Sequence, residues 1–216
     1  MSAAVERALI ELGELAERDV PIGPLTTYRV GGAADVFVSL RSRADLVPLA
    51  KAVAASGLPV LVVGRGSNLL VADSGFRGIA VSASAITDSI DIDESSATVT
   101  AGSSVLLPVL ARRTAAAGLI GFEWAVGVPG SVGGAVRMNA GGHGSDMSEV
   151  LVSVTIADIS DTGGDLTDDA KAGIVRSVNA DALGLRFRGS GLVATELVLD
   201  ATLQLVHGDR TAAEAE

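Results

Sequence analysis

The stretch GVPGSVGGAVRMNAGGHG, running from Gly127 to Gly144, places seven glycines in eighteen residues. Glycine loses more conformational entropy on folding than any other residue, so a run this dense destabilises the chain unless something offsets it. Two uses fit: a flexible linker, or a cradle in which bare backbone N–H groups come close to a phosphate. Linkers are polar and serine-rich. Here Val128, Val132, Ala135, Val136 and Met138 are interleaved with the glycines, a pattern that packs. A packed loop is therefore expected, with Ser131 and Asn139 contacting a ligand.

A second glycine turn, LVVGRGSNLLVAD, places Gly64, Arg65, Gly66, Ser67 and Asn68 directly after an apolar strand. Strand-to-glycine turns commonly hold phosphates. Taken alone it reads equally as an ordinary tight turn. It matches neither the dinucleotide fingerprint nor the P-loop.

Composition narrows the partners. A net charge of −10 and 3% aromatic residues argue against nucleic acid and against anionic membranes, which need basic faces or stacking platforms. Glu6, Glu11 and Glu14 make the N-terminus an amphipathic helix and not a leader peptide, and a cytoplasmic protein is expected. With no cysteine, there is no disulfide, thiolate nucleophile or zinc–thiolate site. The two histidines, His143 and His207, have no patterned partners, so no metal site is expected. His143 reads equally as a pocket residue or an exposed loop residue, and Trp124 as core.

Periodicity predicts a helix from Val5 to Leu15 and an extended stretch through Pro21 and Pro24. A strand ADVFVSL follows, then a helix capped by Ser42 and Asp45 and ended by Gly57, then the strands LPVLVVG and IAVS. Beyond them lie short strands SIDID and ATVTAG around the turn DESS, and a helix VLLPVLARRTAAAG. The alternating strands VLVSVTIADI and LVATELVLDATLQL come last, around the turn DTGGD. Strands in antiparallel runs with flanking helices predict an α+β fold. The expected division is 1–85 and 86–207. Residues 208–216 begin a helix too short to stand alone, expected to be the start of a truncated linker helix.

The order TTYRVGG, GRGSNLLV, GVPGSVGGAVRMNAG, FRGS resembles that of the UDP-N-acetylenolpyruvoylglucosamine reductases, or UDP-N-acetylmuramate dehydrogenases, the MurB family. The resemblance runs from about Pro24 to Leu205. It implies a two-subdomain FAD-binding fold of the PCMH/MurB type: a small α/β subdomain, then an antiparallel sheet with flanking helices. It implies non-covalent FAD, held by Tyr28, Arg29, Gly31, Gly64, Arg65, Gly66, Ser67, Asn68, Leu69, Gly127, Val128, Pro129, Gly130, Ser131, Gly133, Gly134, Asn139 and Gly141. By resemblance the glycines cradle the FAD pyrophosphate, and valine at Gly130 or Gly133 is expected to exclude it with the fold largely kept.

NADPH is the implied reductant and a UDP-sugar the implied substrate, reduced to UDP-N-acetylmuramate for peptidoglycan by a monomeric enzyme. Arg188 in FRGS takes the family's charge-stabilising role, with Phe187 where tyrosine is usual and Ser190 kept. The family's proton-donating serine, in a Gly-Ser-x-Phe stretch, and a C-terminal glutamate have no counterpart after Ser190. An incomplete copy, inactive alone, is therefore expected. Two rivals stand beside this reading: a non-catalytic FAD or nucleotide-binding module, and another FAD oxidoreductase of the same fold.

Overall fold

Ser2 accepts a hydrogen bond from the Val5 N–H, and helix α1 (Ala3–Leu12) starts from that cap. Val5, Ala8 and Leu12 bury one stripe, and Gly13 at φ +53° ends the helix. Leu15, expected inside it, lies in the single 3-10 turn that follows. The computed structural model describes residues 2–160 and 174–208. The DTGGD turn, and the expected C-terminal helix beyond Gly208, lie outside them.

The extended stretch before Pro24 contains a strand, β1 (Ala16–Pro21), antiparallel to β2 (Ala33–Ser39). The Ser42–Asp45 capping box forms, with Asp45 Oδ2 accepting from the Ser42 N–H at 2.9 Å. Its capped turn is 3-10 and runs into α2 (Leu46–Ser56). Pro48 thus falls in the first turn of α2, where a missing N–H costs little. Gly57 at φ +64° closes the helix, and β3 (Val60–Val62) and β4 (Phe76–Ser82) follow. The sheet order is β1-β2-β4-β3, with β4 parallel to both β2 and β3. Ile22, Phe37, Val63 and Val71 pack into its core, with Leu69 against them.

The turn DESS joins β5 (Ile90–Asp93) to β6 (Thr98–Gly102). The expected helix after it is α3 (Leu107–Ala116). Then come β7 (Leu119–Ile120), α4 (Val132–Met138), β8 (Gly141–Gly142), β9 (Ser145–Asp146), β10 (Leu151–Asp158), β11 (Val175–Asn179), β12 (Glu196–Gln204) and β13 (Val206–His207). The larger sheet has the order β11-β10-β12-β6-β5. Both β5 and β12 are antiparallel to β6, in register from Asp200↔Gly102 to Gln204↔Thr98. Two short pairs, β13 with β7 and β8 with β9, complete an α+β fold.

Contacts divide the chain into two compact units. One comprises Met1–Ile86, Ile156–Arg176 and Val193–Leu197. The other comprises Thr87–Thr155, Ser177–Leu192 and Val198–Glu216. No helix among the described residues is long and apolar enough to cross a membrane.

Candidate functional site

In the first unit, the loop 23–32 and the loop 64–75 lock together backbone to backbone. Thr27 N–H donates to the Gly66 carbonyl at 3.2 Å, and Gly32 N–H to that of Ala72 at 2.9 Å. A Cβ on Gly66, whose φ is +65°, would stand 2.2 Å from the Leu25 oxygen. One on Gly31, at φ +109°, would stand 2.3 Å from that of Val71. These two glycines are required by the chain's own crossing, before any ligand is considered. Thr26, which the motif reading passed over, is buried and ties the loop. Its hydroxyl donates to the Gly23 carbonyl at 2.8 Å and accepts from the Arg29 N–H at 3.1 Å. The paired threonines before Tyr28 were the available signal, since such hydroxyls favour turns. With the glycines interlocked, the side chains of Tyr28, Arg29, Arg65 and Asn68 are among those left outward, all exposed. Leu69 instead packs on the core, and Ser67 is half-buried.

In the second unit, the stretch read as a packed loop contains a helix, α4, which two glycines hid by lowering its propensity. Its start is held from outside. Val132 N–H donates to the Val105 carbonyl and Gly133 N–H to that of Ser103, both at 2.9 Å. A Cβ on Gly133 would lie 2.7 Å from the Ser103 Cβ. Valine there would break this packing, so the expectation of a conserved fold is corrected. Gly134 and Gly127 differ: each is exposed, with no atom within 4 Å of an added Cβ. Pro129 is exposed too, Val128 and Gly130 are half-buried, and Ser131 is the buried N-cap.

Asn139 ends α4 at φ +41°, a conformation asparagine tolerates. Its amide donates to Asp146 Oδ2 at 3.0 Å, and its Oδ1 accepts the Ser148 N–H at 2.9 Å. Both ends of that side chain are spent on the loop itself. Gly141 is needed for the β8–β9 pair, since a Cβ would meet the Ser145 oxygen at 2.5 Å. His143 is exposed at φ +54° in the turn of that pair.

FRGS forms a tight turn. Arg186 N–H donates to the Gly189 carbonyl at 2.9 Å, and Gly189 N–H returns to that of Arg186 at 3.0 Å. Phe187 and Arg188 occupy the apex, Phe187 being 88% exposed. Arg188 sits at φ +55°, where glycine is favoured, and its guanidinium lies 5.6 Å from the Phe187 ring centroid. Backbone strain of this kind gathers at functional positions. The Ser190 hydroxyl donates to the Arg137 carbonyl at 2.8 Å, which anchors the turn to α4.

A flavin dinucleotide needs open backbone, cations for its diphosphate and apolar surface for its rings. The first unit's loops carry exposed Arg29 and Arg65, together with exposed Leu25, Tyr28, Val30 and Leu70. The second unit offers the open positions Gly127 and Gly134. The residues present fit the group.

Residues 34–163 match the family of FAD-binding domains, and the chain belongs to that family. Within it, the chain is similar to UDP-N-acetylenolpyruvoylglucosamine reductases. It is 38% identical to one from a Synechococcus strain, over 88% of this chain and 59% of the relative. It is 38% identical to one from Bacillus velezensis, over 95% and 64%. The crystal structure of the Thermus caldophilus reductase superposes with a TM-score of 0.71 at 29% identity, covering 93% of this chain and 65% of that one. The chain spans about three-fifths of the length of the curated relatives it matches.

Proposed function

We propose that this chain supplies the flavin-binding part of a reductase that uses NADPH to convert UDP-N-acetylenolpyruvoylglucosamine to UDP-N-acetylmuramate. The observation that carries the reading is similarity to such reductases over nearly the whole chain, joined to an arginine strained at an exposed turn apex. FAD, when bound, supplies the hydride chemistry. The residues assigned to holding it are Tyr28, Arg29 and the exposed part of the 64–69 loop in the first unit. In the second they are Gly127 to Ser131, Gly134 and the neighbouring backbone. Addition of hydride to the alkene carbon remote from the substrate's carboxylate pushes negative charge onto that carboxylate. Arg188 answers that charge with guanidinium donors that strengthen as it develops. Phe187 lies against the guanidinium and limits its swing, while Ser190 fixes the turn that carries both. A monomeric state and a cytoplasmic location go with this reading.

Two measurements test it. Purified chain is expected to bind FAD one to one and to release it on acid precipitation. Protein that stays colourless after refolding with FAD overturns the flavin assignment. A chimera completed with the remainder of the Bacillus velezensis reductase is expected to form UDP-N-acetylmuramate. In that chimera Arg188→Ala is expected to lose about 10²–10³-fold in turnover, by analogy with removal of a charge-stabilising donor. An unchanged rate with an unchanged flavin spectrum would remove Arg188 from the chemistry.

A further inference from the structure

A cleft of ≈ 700 Å³ lies within the second unit, and its lining includes none of the residues assigned to the flavin, although Val126 and His143 adjoin them in the chain. Trp124, Val150, Leu205 and Val206 give it apolar surface, Glu123 and Glu149 give it charge, and no lysine or arginine lines it. Each glutamate uses one carboxylate oxygen internally. Glu123 Oε2 accepts the Gly121 N–H at 2.7 Å, and Glu149 Oε2 accepts the Ser145 hydroxyl at 2.6 Å. The second oxygens are left for something else. Trp124 is 6% exposed, and its indole N–H is the one buried side-chain polar group without a hydrogen-bond partner among the described residues. Native proteins seldom leave such a donor unmatched. The strand β13, whose Val206 is 57% exposed, pairs with β7 on one edge, and no second strand among the described residues pairs with its other edge.

We propose that this cleft docks an extended basic segment of a partner polypeptide. The segment's backbone adds to the edge of β13 away from β7, as in strand augmentation. An apolar side chain packs on Val206 and the exposed edge of Trp124, and a lysine or arginine meets Glu123 and Glu149. Tryptophan and arginine are frequent anchors of such contacts. Anionic nucleotides carry the wrong sign for this rim.

Trp124 is the only tryptophan of the chain, so its emission reports on this cleft alone. The chain, with and without FAD, is titrated with the acetylated, amidated peptide Val-Lys-Ile-Arg-Val-Lys, with its Glu-for-basic counterpart, and with arginine amide. Hydrogen exchange is followed at Val206 and His207. Only the basic peptide is expected to give a saturable emission change and to protect the β13 amides, with or without flavin. Glu123→Gln and Glu149→Gln are each expected to weaken it about 2–5-fold, as for exposed ion pairs. No response to the basic peptide, an equal response to the acidic one, an equal response to arginine amide, or indifference to both glutamine variants overturns the proposal. Because the flavin loops are not involved, loss of FAD binding with intact peptide binding would count against the flavin reading alone.

Discussion

Neighbouring glycines at 133 and 134 have opposite reasons to be glycine. Gly133 is pressed against Ser103, whereas Gly134 faces open space. Alanine at 134 is expected to stabilise the flavin-free chain by about 0.5–1 kcal/mol, the helix-propensity gain. The same change should weaken FAD binding at least about tenfold, or ~1.4 kcal/mol. Alanine at 133 is expected to cost about 1–3 kcal/mol of stability through overpacking. Denaturant melts and flavin titration on both variants check this; if both lose stability alike, Gly134 is not an open position. At Arg188 the strain gives a second test. Glycine there relieves a left-handed side chain and is expected to raise stability by up to about 1–2 kcal/mol. In the completed chimera it should abolish most turnover, and a thermal melt beside a product assay separates the two effects.

At the scale of elements, α4 depends on what surrounds it. Seven residues with two glycines would not form a helix in isolation. Carbonyls of Ser103 and Val105 hold its start, and Asn139 holds its end. Asn139→Ala removes two side-chain hydrogen bonds and a tolerated left-handed cap. The expected loss is about 2–3 kcal/mol, read by chemical denaturation, from two bonds at about 1 kcal/mol each plus the cap. The β5–β6 turn behaves differently because it is exposed. The Ser95 hydroxyl, then the Ser96 hydroxyl, then both backbone N–H groups donate to Asp93 and hold its carboxyl at about 2 against an ordinary 3.8. A folded value below the unfolded one stabilises above about pH 4, and that contribution disappears as pH falls toward 2. Asp93→Asn is expected to flatten the acid limb of the stability curve between pH 4 and 2. An unchanged slope in thermal melts across that window would show that the turn does not hold the charge.

For the molecule as a whole, a ligand that binds only the folded chain raises stability with its concentration. FAD at a hundred times its dissociation constant is expected to add about 2.7 kcal/mol, seen as a concentration-dependent thermal shift. The whole also shows how far local rules reach. The Ser42–Asp45 capping box, the stop at Gly57, the alternation along β10 and β12 and the DESS turn were all legible, because each is decided by residues within a few positions of one another. Order along the chain, from TTYRVGG to FRGS, was enough to point to an FAD-binding domain. What the sequence could not determine was why particular glycines are glycine. Gly31 answers to Val71, Gly66 to Leu25 and Gly133 to Ser103, partners some 30 to 40 residues away that only the folded backbone brings so near that an added Cβ would lie within 3 Å of them. The same holds for α4, whose glycines read as loop until distant carbonyls satisfy its first amides. It holds too for β13, a strand of two residues whose partner β7 lies far back in the chain. Local sequence sets what each segment prefers; tertiary contact decides which preference is overruled, because a steric clash or an unmet hydrogen bond outweighs the tenths of a kcal/mol by which most residue types differ in propensity.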